Sequence, residues 1–317
     1  MRCAVLDDYQ GVVLSMAGWG RLDGRVDVTV FREHLGGEDA VAAGLADFDI
    51  VVIMRERTPF PAALIERLPK LRLLVTSGMR NASVDLAAAA RAGVVVCGTT
   101  SSKASTVELT WALILGLVRN VAVENAAFHA GGPWQSTIGT NLAGATLGLV
   151  GLGQIGSRMA TVARAFGMDV LAWSQNLTAE RATAAGATLA GSLPELMTAS
   201  DIVSVHVVLS DRTRGLVDAD ALAHLRPSAY LVNTSRAAVV DQAALLAALR
   251  HRRIAGAAVD VFATEPLPAD DPLRGLPNLL ATPHLGYVTR ENYADYFRET
   301  VEDIEAFLAG EPVRVIS

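Results

Sequence analysis

Thr146-Leu-Gly-Leu-Val-Gly151-Leu-Gly153-Gln154-Ile155-Gly156 is the stretch from which the rest of the chain is best read. A strand-like apolar run, Thr146–Val150, leads straight into Gly-x-Gly-x-x-Gly, and a helical pattern follows from Ile155 to Phe166. In that setting each glycine has a mechanical task. Gly151 permits a tight turn, Gly153 lets the backbone approach a pyrophosphate, and Gly156 lets helix and strand pack closely. The N–H groups at Gln154 and Ile155 open the helix, where its dipole favours phosphate. The stretch reads as a dinucleotide-binding turn.

Working outward, short apolar β-branched runs alternate with alanine- and leucine-rich helical segments. Strands are expected at Arg2–Leu6, Asp49–Met54, Leu71–Thr76, Val94–Cys97, Thr146–Val150, Asp169–Trp173, Asp201–Val205, Tyr230–Asn233 and Ile254–Val261. Helices are expected at Pro61–Leu68, Val84–Ala92, Thr106–Phe128, Ile155–Phe166, Ala179–Ala185, Gln242–His251 and Arg290–Ala309, the first with proline at its first position. Near-continuous apolar strands separated by helices specify parallel sheets covered on both faces. The expected class is α/β, with two Rossmann-like domains. The polar run Gly98-Thr-Thr-Ser-Ser-Lys-Ala-Ser105 reads as a connection, with Ser105 and Glu108 placed for a capping box. Pro283 and Gly286 mark a second crossing. The boundaries become 1–98 plus 287–317 for a discontinuous, flavodoxin-like substrate domain, and 99–286 for an NAD(P)-binding domain.

Composition fits this frame. The chain has 317 residues, 51% hydrophobic and 19% charged, with a net charge of −6 and only two cysteines, Cys3 and Cys97. No disulfide framework is implied, and a reducing cytoplasm is the default expectation. No basic tract suggests nucleic acid, no apolar run suggests a membrane span or signal peptide, and no His/Cys/Asp cluster has metal-ligand spacing.

Three further segments carry chemistry: Asn233-Thr-Ser-Arg236, Asp260-Val-Phe-Ala-Thr-Glu265 and Thr282-Pro-His284. Arg236 and Glu265 follow predicted strands, at the carboxyl edge where open α/β sheets bind ligands. Reducing a ketone needs a proton delivered to oxygen as hydride reaches carbon, and a histidine donates one near neutral pH. A carboxylate on the far ring nitrogen orients an imidazole and favours its charged form. A guanidinium grips a substrate carboxylate at two points. By contrast His129, His224 and His251 read as structural or surface residues, and His206 as packed or cofactor-side. On the second nucleotide-domain strand, Ser174 stands where an acid would bind the ribose hydroxyls, and Arg181 is the nearest cation. NAD and NADP both remain open.

Together these segments resemble the D-isomer-specific 2-hydroxyacid dehydrogenase family, which includes glyoxylate/hydroxypyruvate reductases and phosphoglycerate dehydrogenases. The resemblance is dense from Asn141 to Gly286 and looser over the rest. It implies hydride transfer between NAD(P)H and a 2-keto acid, with Arg236 as carboxylate clamp, Glu265 as the histidine's partner and His284 as acid/base. It also implies Asp260 near the nicotinamide carboxamide, Val207, Thr213 and Thr234 along the cofactor, a homodimer, and an active site in the cleft between domains. Family relatives include corepressors that sense the cofactor, the alternative in a different class.

Three departures stand out. Ala237 replaces the glycine after the arginine, and Val208 replaces a proline in the cofactor-side loop, which is therefore expected to be less rigid. The substrate loop reads Gly78-Met79-Arg80-Asn-Ala-Ser83 where the family has Gly-x-Gly-x-Asp-Asn. Family members bind the substrate carboxylate on backbone N–H groups of this loop. Arg80 is therefore expected to add a cation that selects a second acidic or polar group. Arg55 and Arg57 either reach the same pocket or belong to a solvated turn, Arg55-Glu-Arg-Thr58.

Overall fold

The structure, a computed structural model, describes residues 1–316. The chain forms two compact units, Met1–Ser102 with the residues from Val288 onward, and Lys103–Tyr287. These boundaries lie slightly beyond the expected ones for local reasons. Glu299 accepts bonds from the Thr100 N–H and hydroxyl, and Asn292 accepts from Ser102 N, which ties the connection to the first unit. Tyr287 meets the ring of His284 and counts with the second.

Unit 1 is built on a five-stranded parallel sheet in the order β2-β1-β3-β4-β5. Its strands are β1 Arg2–Val5, β2 Asp27–Val30, β3 Ile50–Ile53, β4 Leu73–Thr76 and β5 Val95–Gly98. Unit 2 carries seven parallel strands in the order β12-β11-β10-β9-β6-β7-β8. These are β6 Thr146–Val150, β7 Asp169–Trp173, β8 Thr188–Leu189, β9 Ile202–Val205, β10 Tyr230–Asn233, β11 Gly256–Val259 and β12 Leu279–Ala281. Alternate strand residues feed opposite faces: Val203, Val205, Leu231 and Val259 enter one core, while Ile202, Val232, Leu147 and Leu149 enter the other. Both faces are therefore covered, as the unbroken apolar runs require. The strand order reverses between β6 and β9, which opens a crevice at their carboxyl ends.

Some expectations need correction. The helix expected at Thr106–Phe128 is two helices, Ala104–Val118 and Val121–His129, bent by 67° where Asn120 adopts φ +53°. A left-handed residue ends a helix, and asparagine tolerates it better than most. Helix Ala104–Val118 starts before Ser105, so that residue lies in its first turn and is not the cap. Pro61 is the residue before helix Ala62–Glu66, not its first position. β2, β8 and β12 were not expected at all; each is a sheet edge, short and only partly buried.

Candidate active site

The glycine turn has the shape its spacing predicts. Gly151 has φ +103°, and a Cβ there would lie 2.9 Å from His206 C and Val207 N across the crevice. At Gly156 a Cβ would stand 2.2 Å from Gly151 O, so only glycine lets the helix start this close. At Gly153 a Cβ would meet nothing within 4 Å, leaving an open backbone face. Helix Gln154–Ala165 begins there with no side-chain cap. An open glycine face before an uncapped helix suits a pyrophosphate, so these residues fit a dinucleotide.

The other expected cofactor-side residues are held by the fold. Ser174 follows β7, and its carbonyl accepts from Leu177 N at 3.0 Å. Arg181 lies exposed one turn further on, its guanidinium 3.5 Å from Asn176 O. Thr110 spends its proton on Thr106 O, so Thr234 is the donor in their 2.8 Å bond. The Thr213 hydroxyl donates to Val208 O at 2.7 Å and accepts from Ser210 N at 2.8 Å. The loop carrying Val208 is thus tied by Thr213 in place of proline's stiffness. Burial pushes His206 down to about pKa 4, so it is neutral at physiological pH.

The side chains expected to carry the chemistry, Arg236, Glu265 and His284, stand at neighbouring strand exits of unit 2. Arg236 leaves β10 on a turn built by Asn233, whose side chain accepts from Ser235 N and donates to Arg236 O. Ser235 Oγ donates to Val207 O at 2.6 Å and pins the turn to the loop after β9. The Arg236 guanidinium is half-buried and donates to Ser235 O at 2.8 Å. Ala237 starts a right-handed 3-10 turn, where a Cβ is no obstacle.

His284 Nδ1 lies 2.7 Å from Glu265 Oε2, and Glu265 Oε1 accepts from Phe262 N at 2.8 Å. A carboxylate can only accept, so opposite one His284 Nδ1 is the donor in this contact and Nε2 stays outside it. His284 adopts φ +56°, which is uncommon for a residue with a Cβ and needs surrounding support.

Asp260 supplies that support. It is 1% exposed; Oδ1 accepts from Thr282 Oγ1 at 2.6 Å and Leu285 N at 2.7 Å, and Oδ2 from Gly286 N at 2.8 Å. Desolvation raises its pKa, opposed by these bonds. The residue expected beside the carboxamide therefore spends three bonds clamping the histidine loop. Tyr287, buried, meets the imidazole edge-to-face at 5.4 Å. Sequence reading missed Tyr287 and Asn233; an aromatic three residues past the histidine and an asparagine at a strand exit are the signals available.

In unit 1 the loop after β4 carries Gly78, Met79 and Arg80, the last two exposed. Gly78 has φ +95°, and a Cβ there would lie 1.9 Å from Arg55 Nη1. Arg55, itself at φ +53°, donates to Ser77 O at 3.2 Å, and Asn81 Nδ2 donates to Arg55 O at 2.7 Å. The guanidinium thus lies on the expected carboxylate loop. Arg55-Glu-Arg-Thr58 is not a solvated turn. Arg57 and Thr58 are buried, Arg57 donates to Asp7 O at 2.9 Å and covers the Tyr9 ring, and Thr58 donates to Asp7 Oδ2 at 2.7 Å. Arg57 is therefore committed to the fold, while Arg55 sits at the loop.

Residues 111–286 match the model of the D-isomer specific 2-hydroxyacid dehydrogenase NAD binding domain. The chain is 36% identical over 272 residues to D-3-phosphoglycerate dehydrogenase of Bacillus subtilis, covering 85% of this chain and 51% of that enzyme. It is 37% identical over 257 residues to glyoxylate reductase of Aeropyrum pernix, covering 78% of this chain and 76% of that one. The crystal structure of a phosphoglycerate oxidoreductase from Vibrio cholerae superposes with a TM-score of 0.93 at 36% identity, over 98% of this chain and 99% of that one. The chain spans about half the length of the phosphoglycerate dehydrogenases it matches. Its sequence, its two parallel sheets and its glycine turn place it in the D-isomer specific 2-hydroxyacid dehydrogenase family.

Proposed function

We propose that this protein interconverts 2-keto acids and D-2-hydroxy acids with NAD or NADP. The single observation that carries the reading is the 2.7 Å contact between His284 Nδ1 and Glu265 Oε2. It supports Nε2 as the nitrogen that exchanges the proton. When bound, the nicotinamide cofactor supplies the hydride in reduction and accepts it in oxidation. In reduction, His284 gives the proton on Nε2 to the substrate's carbonyl oxygen, while Glu265 steadies the positive ring through Nδ1. Arg236 pairs with the substrate carboxylate and polarises the adjacent carbonyl. In oxidation, neutral His284 removes the hydroxyl proton at the same atom. Asp260 acts by holding the loop that presents His284.

Gly151, Gly153, Gln154, Ile155 and Gly156 would hold the pyrophosphate, with Val207, Thr213 and Thr234 lining the cofactor's path. Ser174 offers no carboxylate to repel a 2′-phosphate. In unit 1, Gly78, Met79 and Arg80 would bind an anionic group of the substrate, reinforced by Arg55. The two named relatives differ here: 3-phosphoglycerate carries a second acidic group and glyoxylate does not. Arg55 and Arg80 favour a substrate with a second acidic or polar group.

The molecule is read as a homodimer, and its exposed surface supports this. Helix Val121–His129 has no buried residue, and beyond it Trp134 is 85% and Ile138 97% exposed. Such a short helix is marginal alone in water, and a charge-poor, aromatic-bearing surface is typical of an interface core.

Absorbance at 340 nm tests the function directly. Glyoxylate, hydroxypyruvate, 3-carbon keto acids carrying a second acidic group and larger keto acids are each offered with NADH and with NADPH. Consumption with at least one of them is expected, fastest with a second acidic group present. Tight cofactor binding with no turnover on any substrate would favour the cofactor-sensing alternative instead.

A further inference from the structure

The edge of the unit 1 sheet at β5 is covered by the C-terminal segment. Val315 bridges Cys97 in antiparallel fashion, Gly98 N donates to Arg314 O at 3.0 Å, and Ile316 N donates to Val96 O at 2.8 Å. This segment is firmly anchored. Arg314 adopts φ +49°, Nε donates to Oδ1 of the fully buried Asp303 at 2.9 Å, and Nη2 donates to Glu299 O at 2.9 Å. The same guanidinium pairs with Glu302 Oε2 at 3.0 Å. Three acceptors on helix Arg290–Leu308 thus hold an arginine in a backbone region that disfavours a Cβ.

Gly98 connects this anchor to the Gly78 loop. A Cβ at Gly98 would lie 2.6 Å from Ile316 Cδ1, 2.7 Å from Gly78 O and 3.1 Å from Met79 Cα. The missing side chain lets Ile316 and the Gly78 loop close on the same backbone position. Gly78 N donates to Thr99 Oγ1 at 3.1 Å, and Arg55 covers the loop where the Gly78 Cβ would be. Gly78 is therefore held between a cation and a strand end that the C-terminal segment supports.

We propose that Arg314–Ile316 is a strap that positions the Gly78 loop and so sets affinity for the substrate's anionic group. This rests on the reading of Gly78–Arg80 as substrate-binding. Arg314 and Ile316 are positioning residues: they act through Gly98 and touch no reacting atom. Close packing transmits such support, because a loop packed against rigid backbone has few alternative positions.

The test uses the full chain with Ile316→Ala, Ile316→Val and Arg314→Ala, beside Arg55→Ala as the reference for the loop itself. Ile316→Ala and Arg314→Ala should raise KM for the keto acid about threefold to tenfold, with kcat and NAD(P)H Kd within about twofold of wild type. Ile316→Val should restore most of the affinity, and amide exchange at Gly78–Arg80 should quicken in the alanine variants. Should Ile316→Ala fail to fold, Arg314→Ala and the graded Ile316→Val carry the same readouts. Unchanged KM in the strap variants with raised KM in Arg55→Ala would overturn the strap and leave the loop's role standing. Unchanged KM in Arg55→Ala as well would remove both. A parallel loss of kcat and cofactor affinity would show general destabilisation and also overturn the strap.

Discussion

The carboxyl ends of the two sheets are organised differently. In unit 2 the loops that carry Arg236, Glu265 and His284 are fixed by short hydrogen bonds from buried or half-buried side chains. Glu265 holds His284, Asp260 holds the Thr282–Gly286 loop, and Asn233 holds the turn bearing Arg236. In unit 1 the Gly78 loop is held through its backbone: Arg55 donates to Ser77 O, Gly78 N donates to Thr99 Oγ1, and the loop packs on Gly98, where Ile316 also packs. A side chain clamped by hydrogen bonds tolerates little change, since each bond sets an atom's position directly. A loop held through its backbone can vary in its side chains, and Arg80 in place of the family's glycine is such a variation. On the proposed reading, the clamped end carries the reaction and the backbone-held loop the choice of substrate.

Breaking the hydrogen-bond clamps of unit 2 should therefore cost most. Glu265→Gln removes the charge that steadies the imidazolium and fixes its tautomer. It should lower kcat by roughly 10²-fold with cofactor affinity nearly unchanged, read by steady-state kinetics and cofactor fluorescence. A loss of less than a few fold would detach Glu265 from the proton transfer.

A smaller effect belongs to the cofactor edge. Ser174→Asp places a carboxylate where the proposed cofactor site puts the ribose and should raise the NADH to NADPH ratio of kcat/KM about tenfold, mainly by repelling the 2′-phosphate. An unchanged ratio would move the ribose site elsewhere.

The smallest effect concerns stability. Burial lowers the folded pKa of His206 from 6.5 to about 4. The unfolded state then binds more protons between these values, so the contribution is fully present above pH 6.5 and fades as pH falls through about 4. His206→Gln should flatten that acid limb in urea titrations across this range. Identical pH profiles for variant and wild type would assign the acid sensitivity to other groups.

The same contrast explains what the sequence revealed. β6, β7 and β10 match their expected ranges to the residue because they are central or well covered, with apolar runs bounded by turn signals. Three of the four sheet edges, β2, β8 and β12, left little pattern because half their surroundings are not core. The fourth edge, β5, was legible, and it is the edge covered by the C-terminal segment. That Arg236, Glu265 and His284 follow neighbouring strands could be read from motif and strand order. The clamping by Asp260, the Tyr287 contact and the burial of Arg57 depend on tertiary neighbours that no local spacing encodes. The break at Asn120 escaped because no proline or glycine adjoins it, and a single left-handed residue decides it.

The most direct test of the central claim is His284→Ala, measured for turnover and for cofactor binding on the same preparation. The account predicts kcat lower by at least about 10²- to 10⁴-fold, the usual worth of a positioned acid or base, with NAD(P)H Kd essentially unchanged. Near-normal turnover in that variant would contradict it.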